Sequence, residues 1–345
     1  MECSVPQPGS FPGKEASVST QSIITERKAV QLPLVTKPDS LLCKARKNFW
    51  SYLFVLPMLV LVGLFVVYPL VASIQITLYD WNGIGNPTRY VGLRHFFTVA
   101  SDPLFWNAVK NTFTYAFVLV PIQLTLALIL ALVLNNPKLK GSTIYRAVYF
   151  SPVVTSAAMV GIVITLLLSS FGTDLSFFLV DHGIVSEPID WLGSPQFALP
   201  VIIAVGIWQT LGYNLVYFLA ALQSIPKELY EAAQVDGANA YHQFTKITIP
   251  MLREVGAVIV FLAILGSLQV FDLVLVMTGG GPYFSSEVVS TYIYHYAFTP
   301  TSISAEANVG YASAAALFMG ILVMGITVMQ ILAVKYARER RAEMK

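Results

Sequence analysis

Hydrophobic positions in this chain come in long unbroken blocks, not in the three-four or alternating spacing of half-buried helices and strands. Six blocks carry few or no charges: residues 49–72, 110–134, 147–170, 197–221, 255–278 and 309–334. A bilayer core about 30 Å thick takes roughly 20 residues of helix, and every block is long enough. The pattern predicts an all-α integral membrane protein with six transmembrane helices. One polar interval between the fourth and fifth blocks breaks the rhythm: residues 226–253, PKELYEAAQVDGANAYHQFTKITIPMLR, which are charged and helix-prone.

Composition agrees with the pattern. Hydrophobic residues make up 56% and charged residues 12% of the 345 positions, against about 25% charged in a soluble domain. The first block is not a cleaved leader: a long polar segment precedes it, it exceeds a leader core, and it lacks a small-residue cleavage pattern. That segment, residues 1–48, is rich in Ser, Pro, Lys and Thr and is expected to be a disordered cytoplasmic tail. Both cysteines, Cys3 and Cys43, lie in it, which indicates neither a disulfide framework nor a metal site.

Charge then orients the spans. Of the 21 Lys and Arg residues, all but Arg89, Arg94 and Lys110 fall on one side of the alternating topology. That side holds the tail, the loop at 135–146, the interval 226–253 and the C-terminus. The positive-inside rule places it, with both termini, in the cytoplasm. The external loop 73–106 has turn signals at Asn82-Gly83 and Asn86-Pro87 and is expected to be a structured cap. Loop 171–196 gathers Asp174, Asp181, His182, Glu187 and Asp190, but in no compact ligand spacing, so a solvated acidic loop is expected and no metal. HExxH, GxSxG, a Walker loop and CxxC are all missing from the sequence, so catalysis has no visible seat.

At the entry to this interval, Ser224 and Pro226 are helix-start signals, and within it Leu229, Ala232 and Ala233 share a side. Gly237 interrupts the helix, a second one is predicted from Ala240, and Pro250 is expected to stop it. Ala232, Ala233, Gly237 and Ala238 form a small-residue face suited to close approach by a partner. The competing reading is an amphipathic loop on the headgroups, but Glu228, Glu231 and Asp236 do not make a cationic face.

The spacing is specific. Glu231-Ala232-Ala233 is followed after three residues by Gly237, after nine by Ile247, and after one by Ile249-Pro250. This resembles the cytoplasmic signature loop of permease subunits of binding-protein-dependent ABC importers, with Ile249 in place of the usual Leu. The wider stretch LYEAAQVDGANAYHQFTKITIPML and the segment TGGGPYFSSEVVSTYIYHYAF at 278–298 resemble the carbohydrate-uptake branch. The resemblance covers residues 105–335 as a permease core, takes in the first span and external loop (49–104) more loosely, and leaves out the tail; residues 336–345 form a basic cytoplasmic end.

The resemblance implies a type I ABC importer permease fold in a bacterial or archaeal plasma (inner) membrane, and a non-enzymatic subunit. Its expected partners are a second homologous permease (a heterodimer), two cytoplasmic ATPase subunits that carry ATP and Mg, an extracytoplasmic solute-binding protein, and a sugar; no nucleic acid is expected. Carried over by position, the loop becomes a coupling helix. Glu231 contacts the ATPase, Ala232 and Ala233 pack closely, Gly237 makes the turn, and Asp236, Ile247 and Pro250 complete the loop. Lys246 matches no signature position.

Polar residues inside spans four and five are candidates for a substrate path: Gln209, Thr210 and Tyr213, with Ser267, Gln269 and Val270. Amides and hydroxyls suit sugar hydroxyls, and Trp208 or Tyr213 can cover an apolar ring face. Hydrogen bonding between helices is the alternative for these residues, and Asp272 leans that way. Spans four and five carry no Lys or Arg in their membrane portions, which favours a neutral solute over glycerol phosphate. An ion-coupled secondary transporter is the more remote alternative, because no paired broken helices with carboxylates are visible.

Overall fold

The computed structural model describes residues 49–136, 139–298 and 307–342. The expectations for the tail, including Cys3 and Cys43, and for Lys138 and Lys345, fall outside the described residues. The chain divides into two units, residues 1–61 and 62–345. In the first, the described part is helical and belongs to α1 (Phe49–Val62). The second holds α2 (Tyr68–Ile76), a two-residue hairpin of β1 (Tyr79–Asp80) and β2 (Arg89–Tyr90), and α3 (Arg94–Ser101). Then come α4 (Pro103–Leu134), α5 (Ser142–Val154), α6 (Ala157–Asp181), α7 (Ala198–Gln223), α8 (Lys227–Val235) and α9 (Ala240–Gln243). α10 (Ile249–Leu268), α11 (Asp272–Met277), α12 (Val289–Phe298) and α13 (Val309–Ala342) complete it.

Six helical segments among the described residues are long and apolar enough to cross a membrane: 53–76, 103–134, 157–181, 198–223, 240–277 and 309–333. The reason is general. Lipid offers no partner for a backbone N–H or C=O, so a spanning segment must close its own hydrogen bonds.

Four boundaries differ from the sequence expectation. The third block is two helices, because Pro152 supplies no N–H and Thr155 and Ser156 are extended (ψ 138° and 137°), so the span restarts at Ala157. It then runs to Asp181, which puts Asp174 and Asp181 on a helix and shortens the acidic loop. Ser224 does not start a helix: its hydroxyl donates to Ala221 O (2.7 Å) and closes α7. The basic end is helical as far as Ala342, continuous with span six.

Pro250 does not stop the chain either. Residues Phe244–Thr248 form a π turn, in which Ile249 N–H bonds to Phe244 O, five residues back, and the helix runs on through Pro250. The carbonyl that a proline ring meets lies four residues back, here Lys246, inside the widened turn. Pro69 repeats the device after the π turn Gly63–Val67. Span five breaks later instead, at residues 269–271, between α10 and α11.

α4 packs into three apolar clusters. It meets α7 and α11 at Leu119, Ile202 and Val274, α7 and α10 at Ala127, Leu215 and Ile259, and α12 and α13 at Phe105, Tyr292 and Tyr311. Polar bonds tie its N-terminal end. Asp102 caps α4 by accepting from Leu104 N (2.8 Å), and it also accepts from the hydroxyls of Tyr292 and Tyr311 (the latter 3.0 Å). Burial, then the Asp102 hydrogen bond, holds the Tyr292 phenol well above its ordinary pKa, so it stays a neutral donor. Asn111 donates to Glu287 O (2.9 Å), and Val289 N donates to Thr112 Oγ1 (3.0 Å). Asn308 reaches Asp80 (2.6 Å), which pairs with Arg89 (3.1 Å) and so pins span six to the hairpin.

Asp102 thus serves one cap and two phenols. We expect Asp102→Ala to cost about 2–3 kcal/mol, and Asp102→Asn less because Asn also caps. Thermal unfolding in detergent checks the order.

Candidate functional site

Two sites emerge. The first is a cavity of about 430 Å³ between α4, α7, α10 and α11. All six residues expected on the substrate path line it: Gln209, Thr210 and Tyr213 from α7, and Ser267, Gln269 and Val270 from the end of α10 and the break beyond it. The break explains the second group. Gln269 closes α10 with non-helical dihedrals, and the unwound 269–271 turns Gln269, Val270 and Phe271 toward the same space as Ser267. Irregular backbone at membrane depth is tolerated where it lines a cavity.

Several of the polar groups are already partly satisfied. Thr210 Oγ1 lies 2.5 Å from Gln123 Oε1 and 2.7 Å from Gly206 O, and its single proton serves one of them at a time. Ser267 donates to Ile264 O (2.8 Å). Both hydroxyls therefore offer lone pairs to a ligand, while the Gln123 and Gln209 amides add N–H groups. Tyr213 is 48% exposed, with its ring edge-on to Phe150 at 6.1 Å.

Of the two aromatic candidates, Tyr213 lines the cavity and Trp208 does not; Tyr217 joins Tyr213 one helical turn on. A step of 100° per residue carries position 208 off the face shared by 209, 213 and 217. Sequence reading also missed Tyr115 and Gln123 on α4, whose polar atoms inside the second block carried the available signal. Asp272 lines the cavity too, as the first residue of α11, and makes no capping bond.

The second site is the hairpin at 226–253. α8 ends in a left-handed glycine, Gly237 (φ 77°). Ala238 N–H bonds to Ala233 O (2.8 Å) and Gly237 N–H to Gln234 O (3.1 Å), the paired closure of a Schellman end. Asn239 caps α9 by accepting from His242 N (2.9 Å). Tyr230 and Thr248 hydroxyls, 2.9 Å apart, join the two arms, a contact the sequence reading did not foresee.

The expected coupling residues divide by role. Glu231, Ala232 and Asp236 are exposed, and Val235 beside them is 88% exposed. Ala233, Asp236, Gly237 and Ala238 line a depression of about 400 Å³ with Lys246 and Ile247. Ile247 also packs on the α4–α7–α10 core, while Pro250 stays exposed.

These features first define a class: an all-α membrane protein with a polar cavity at a broken span and a rigid exposed hairpin between spans four and five. The comparisons then name its family. The profile described as "Binding-protein-dependent transport system inner membrane component" matches residues 49–341, and the chain belongs to that family. It is 37% identical over 295 residues to the lactose transport system permease protein LacF of Rhizobium radiobacter, covering 84% of this chain and 95% of that protein. It is 31% identical to the trehalose/maltose transport system permease protein MalF of Thermococcus litoralis, covering 86% and 97%. Its fold matches a chain in the crystal structure of a bacterial alginate ABC transporter in complex with an alginate pentasaccharide-bound periplasmic protein. There the TM-score is 0.71 at 25% identity, with 84% of this chain and 95% of that chain covered. The chain is a multi-pass ABC-importer membrane component of a family whose named relatives are sugar permeases.

Beyond Gly237 and its chain neighbours, no atom of the described residues lies within 4 Å of where a Cβ on Gly237 would stand, so its backbone angle is what resists substitution. We expect Gly237→Asn to be tolerated best and Gly237→Ala to cost about 1 kcal/mol. Gly237→Val should be worst; hydrogen exchange of residues 227–243 reads the order.

Proposed function

We propose that this chain is the membrane permease of an ATP-driven importer of a neutral sugar, a di- or oligosaccharide or related polyol. It pairs with a second, homologous permease. Two cytoplasmic ATPase subunits carry ATP and Mg, and an extracytoplasmic binding protein delivers the solute. Both termini and the hairpin face the cytoplasm of a bacterial or archaeal cell, as the Lys and Arg distribution supports.

The observation that carries the substrate class is the lining of the α7–α10 cavity. Amides, hydroxyls and tyrosines dominate its polar part, no Lys or Arg among the described residues lines it, and its charged lining residue is the acid Asp272. A phosphorylated or carboxylated solute would meet a like charge and find no cation. Tyr213 and Tyr217 supply ring faces for the apolar side of a pyranose.

The hairpin supports the coupling role. It is stiffened by its own caps and the Tyr230–Thr248 bond, so a push on Glu231 or Val235 moves the hairpin as a body. ATP-driven closure of the ATPase pair then reaches the spans through it.

Uptake by cells carrying the complete transporter tests both halves. Labelled lactose, maltose and trehalose are compared with labelled glycerol 3-phosphate. We expect a neutral sugar to be imported, and Gln209→Ala or Tyr213→Ala to raise its half-saturation about tenfold, the loss of roughly 1.4 kcal/mol of contact. Import of the phosphate alone overturns the substrate class. Gly237→Asp is expected to abolish uptake and release the ATPase from membranes while the permease stays inserted; full ATPase retention with normal uptake sinks the coupling assignment.

A further inference from the structure

A second cavity, of about 540 Å³, lies between α6, the loop at 188–192 and Met277 at the end of α11. Met277 is the last residue of α11, so this cavity lies farther along the broken span than the one described above. Its α6 wall is a row of hydroxyls. Thr165, Ser169 and Thr173 stand four residues apart, on one face of the helix. Ser169 donates to Leu166 O (2.9 Å) and Thr173 to Ser169 O (3.1 Å), so each keeps lone pairs to offer. The Thr165 hydroxyl is buried and has no hydrogen-bond partner among the described residues. A buried hydroxyl left unpaired costs about 1–3 kcal/mol, a cost that a polar ligand in the cavity would relieve once a side-chain rotation brought the hydroxyl to it.

The opposite wall is fastened in place. Ile189 N–H donates to the buried Ser176 hydroxyl, and Trp191 Nε1 donates to Gly172 O (2.8 Å). Gly172 is required there, because a Cβ would stand 2.9 Å from Trp191 Cδ1. The turn at 190–193 holds the neighbouring carboxylate, since Gly193 N–H donates to Asp190 Oδ1 (2.8 Å). An indole with a fixed orientation, an adjacent carboxylate and a row of hydroxyls is a set that binds carbohydrate: the ring covers C–H faces and the oxygens accept from sugar hydroxyls. A lipid tail has no use for the carboxylate or the hydroxyls.

We propose that this outer cavity is a second sugar subsite, which receives the solute before it passes to the α7–α10 cavity. The proposal rests on the chain being a neutral-sugar permease with α6 ending outside.

Cysteine protection tests it in the complete transporter in proteoliposomes. Cys3 and Cys43 are replaced by Ser, and Thr173→Cys is labelled from outside with an impermeant maleimide, without ATP. Lactose, maltose and trehalose are the probes, and uptake with ATP is measured in parallel. An imported sugar at twice its site Kd should slow labelling about threefold. The protection should persist in a Tyr213→Ala background, where uptake is impaired, and disappear in Trp191→Ala. No protection by an imported sugar overturns the subsite and leaves the transport reading intact. Protection that vanishes with Tyr213→Ala also overturns it, because the label is then reporting occupancy of the inner cavity. Quenching of Trp191 fluorescence by brominated lipid, undiminished by sugar, assigns the cavity to lipid. Absence of import of every neutral sugar removes the transport reading and the subsite together.

Discussion

Two glycines on α7 set how close the helices around the cavity can come. At Gly206 a Cβ would overlap the Tyr115 hydroxyl of α4, and at Gly212 it would overlap the Tyr149 carbonyl of α5. Lipid tails are as apolar as leucine, so helices in a membrane gain little from burying apolar surface against each other. They associate through close packing and hydrogen bonds instead, and small residues permit both. The approach at Gly206 places Gln123 and Thr210 within 2.5 Å and brings Tyr115 into the cavity wall. The approach at Gly212 fits the short helix α5 against α7 and sets Phe150 beside Tyr213. Larger residues at these positions would separate the helices that frame the cavity.

The cavity also depends on a break. A continuous span five would close its own hydrogen bonds and present only side chains. Unwinding at 269–271 turns three consecutive residues toward one space, and the span resumes as α11, packed against α6 near Gly161. A lipid-facing gap would leave backbone groups unpaired in hydrocarbon, whereas a polar cavity can hydrate them. The break and the polar lining are therefore one feature, since each makes the other affordable.

The sequence made the spans legible because hydropathy reports the backbone constraint directly. Charge gave an orientation for the same reason of solvation, and the Gly237 turn was readable because its φ suits glycine. Breaks inside apolar blocks were not legible. Residues 152–156 and 269–271 are about as apolar as their flanks, and a helix interrupted for two or three residues keeps nearly the same hydropathy. Prolines misled for a physical reason: Pro250 was expected to end a helix, but a π turn placed before it moves the offending carbonyl aside. The six path residues are polar within apolar spans and could be picked out singly. Their convergence with Tyr115 and Gln123 could not, because it depends on the α4–α7 approach and on the break.

The hairpin and the cavity are joined by one element. α10 leaves the π turn at Ile249 and runs to Leu268, where Ser267 lines the cavity and the helix breaks. Twenty residues of helix span about 30 Å, so a single stiff rod connects the two sites. At its N-terminal end, Ile247 packs on the core formed by Leu215, Leu252 and Ile259, and Thr248 bonds to Tyr230 of α8. A displacement of the hairpin cannot be absorbed by loose chain before α10, because the π turn is hydrogen-bonded and α9 is capped. At the other end the rod meets the unwound residues 269–271, where Gln269 N–H and Val270 N–H close on Gly266 O and Ser267 O (3.3 and 3.4 Å) before α11 begins. Span five is thus helical from the π turn to Leu268 and interrupted at 269–271, beside the residues that face the solute on the proposed reading. On that reading, a displacement of the hairpin is carried along α10 to the point where the backbone of the cavity wall is no longer helical.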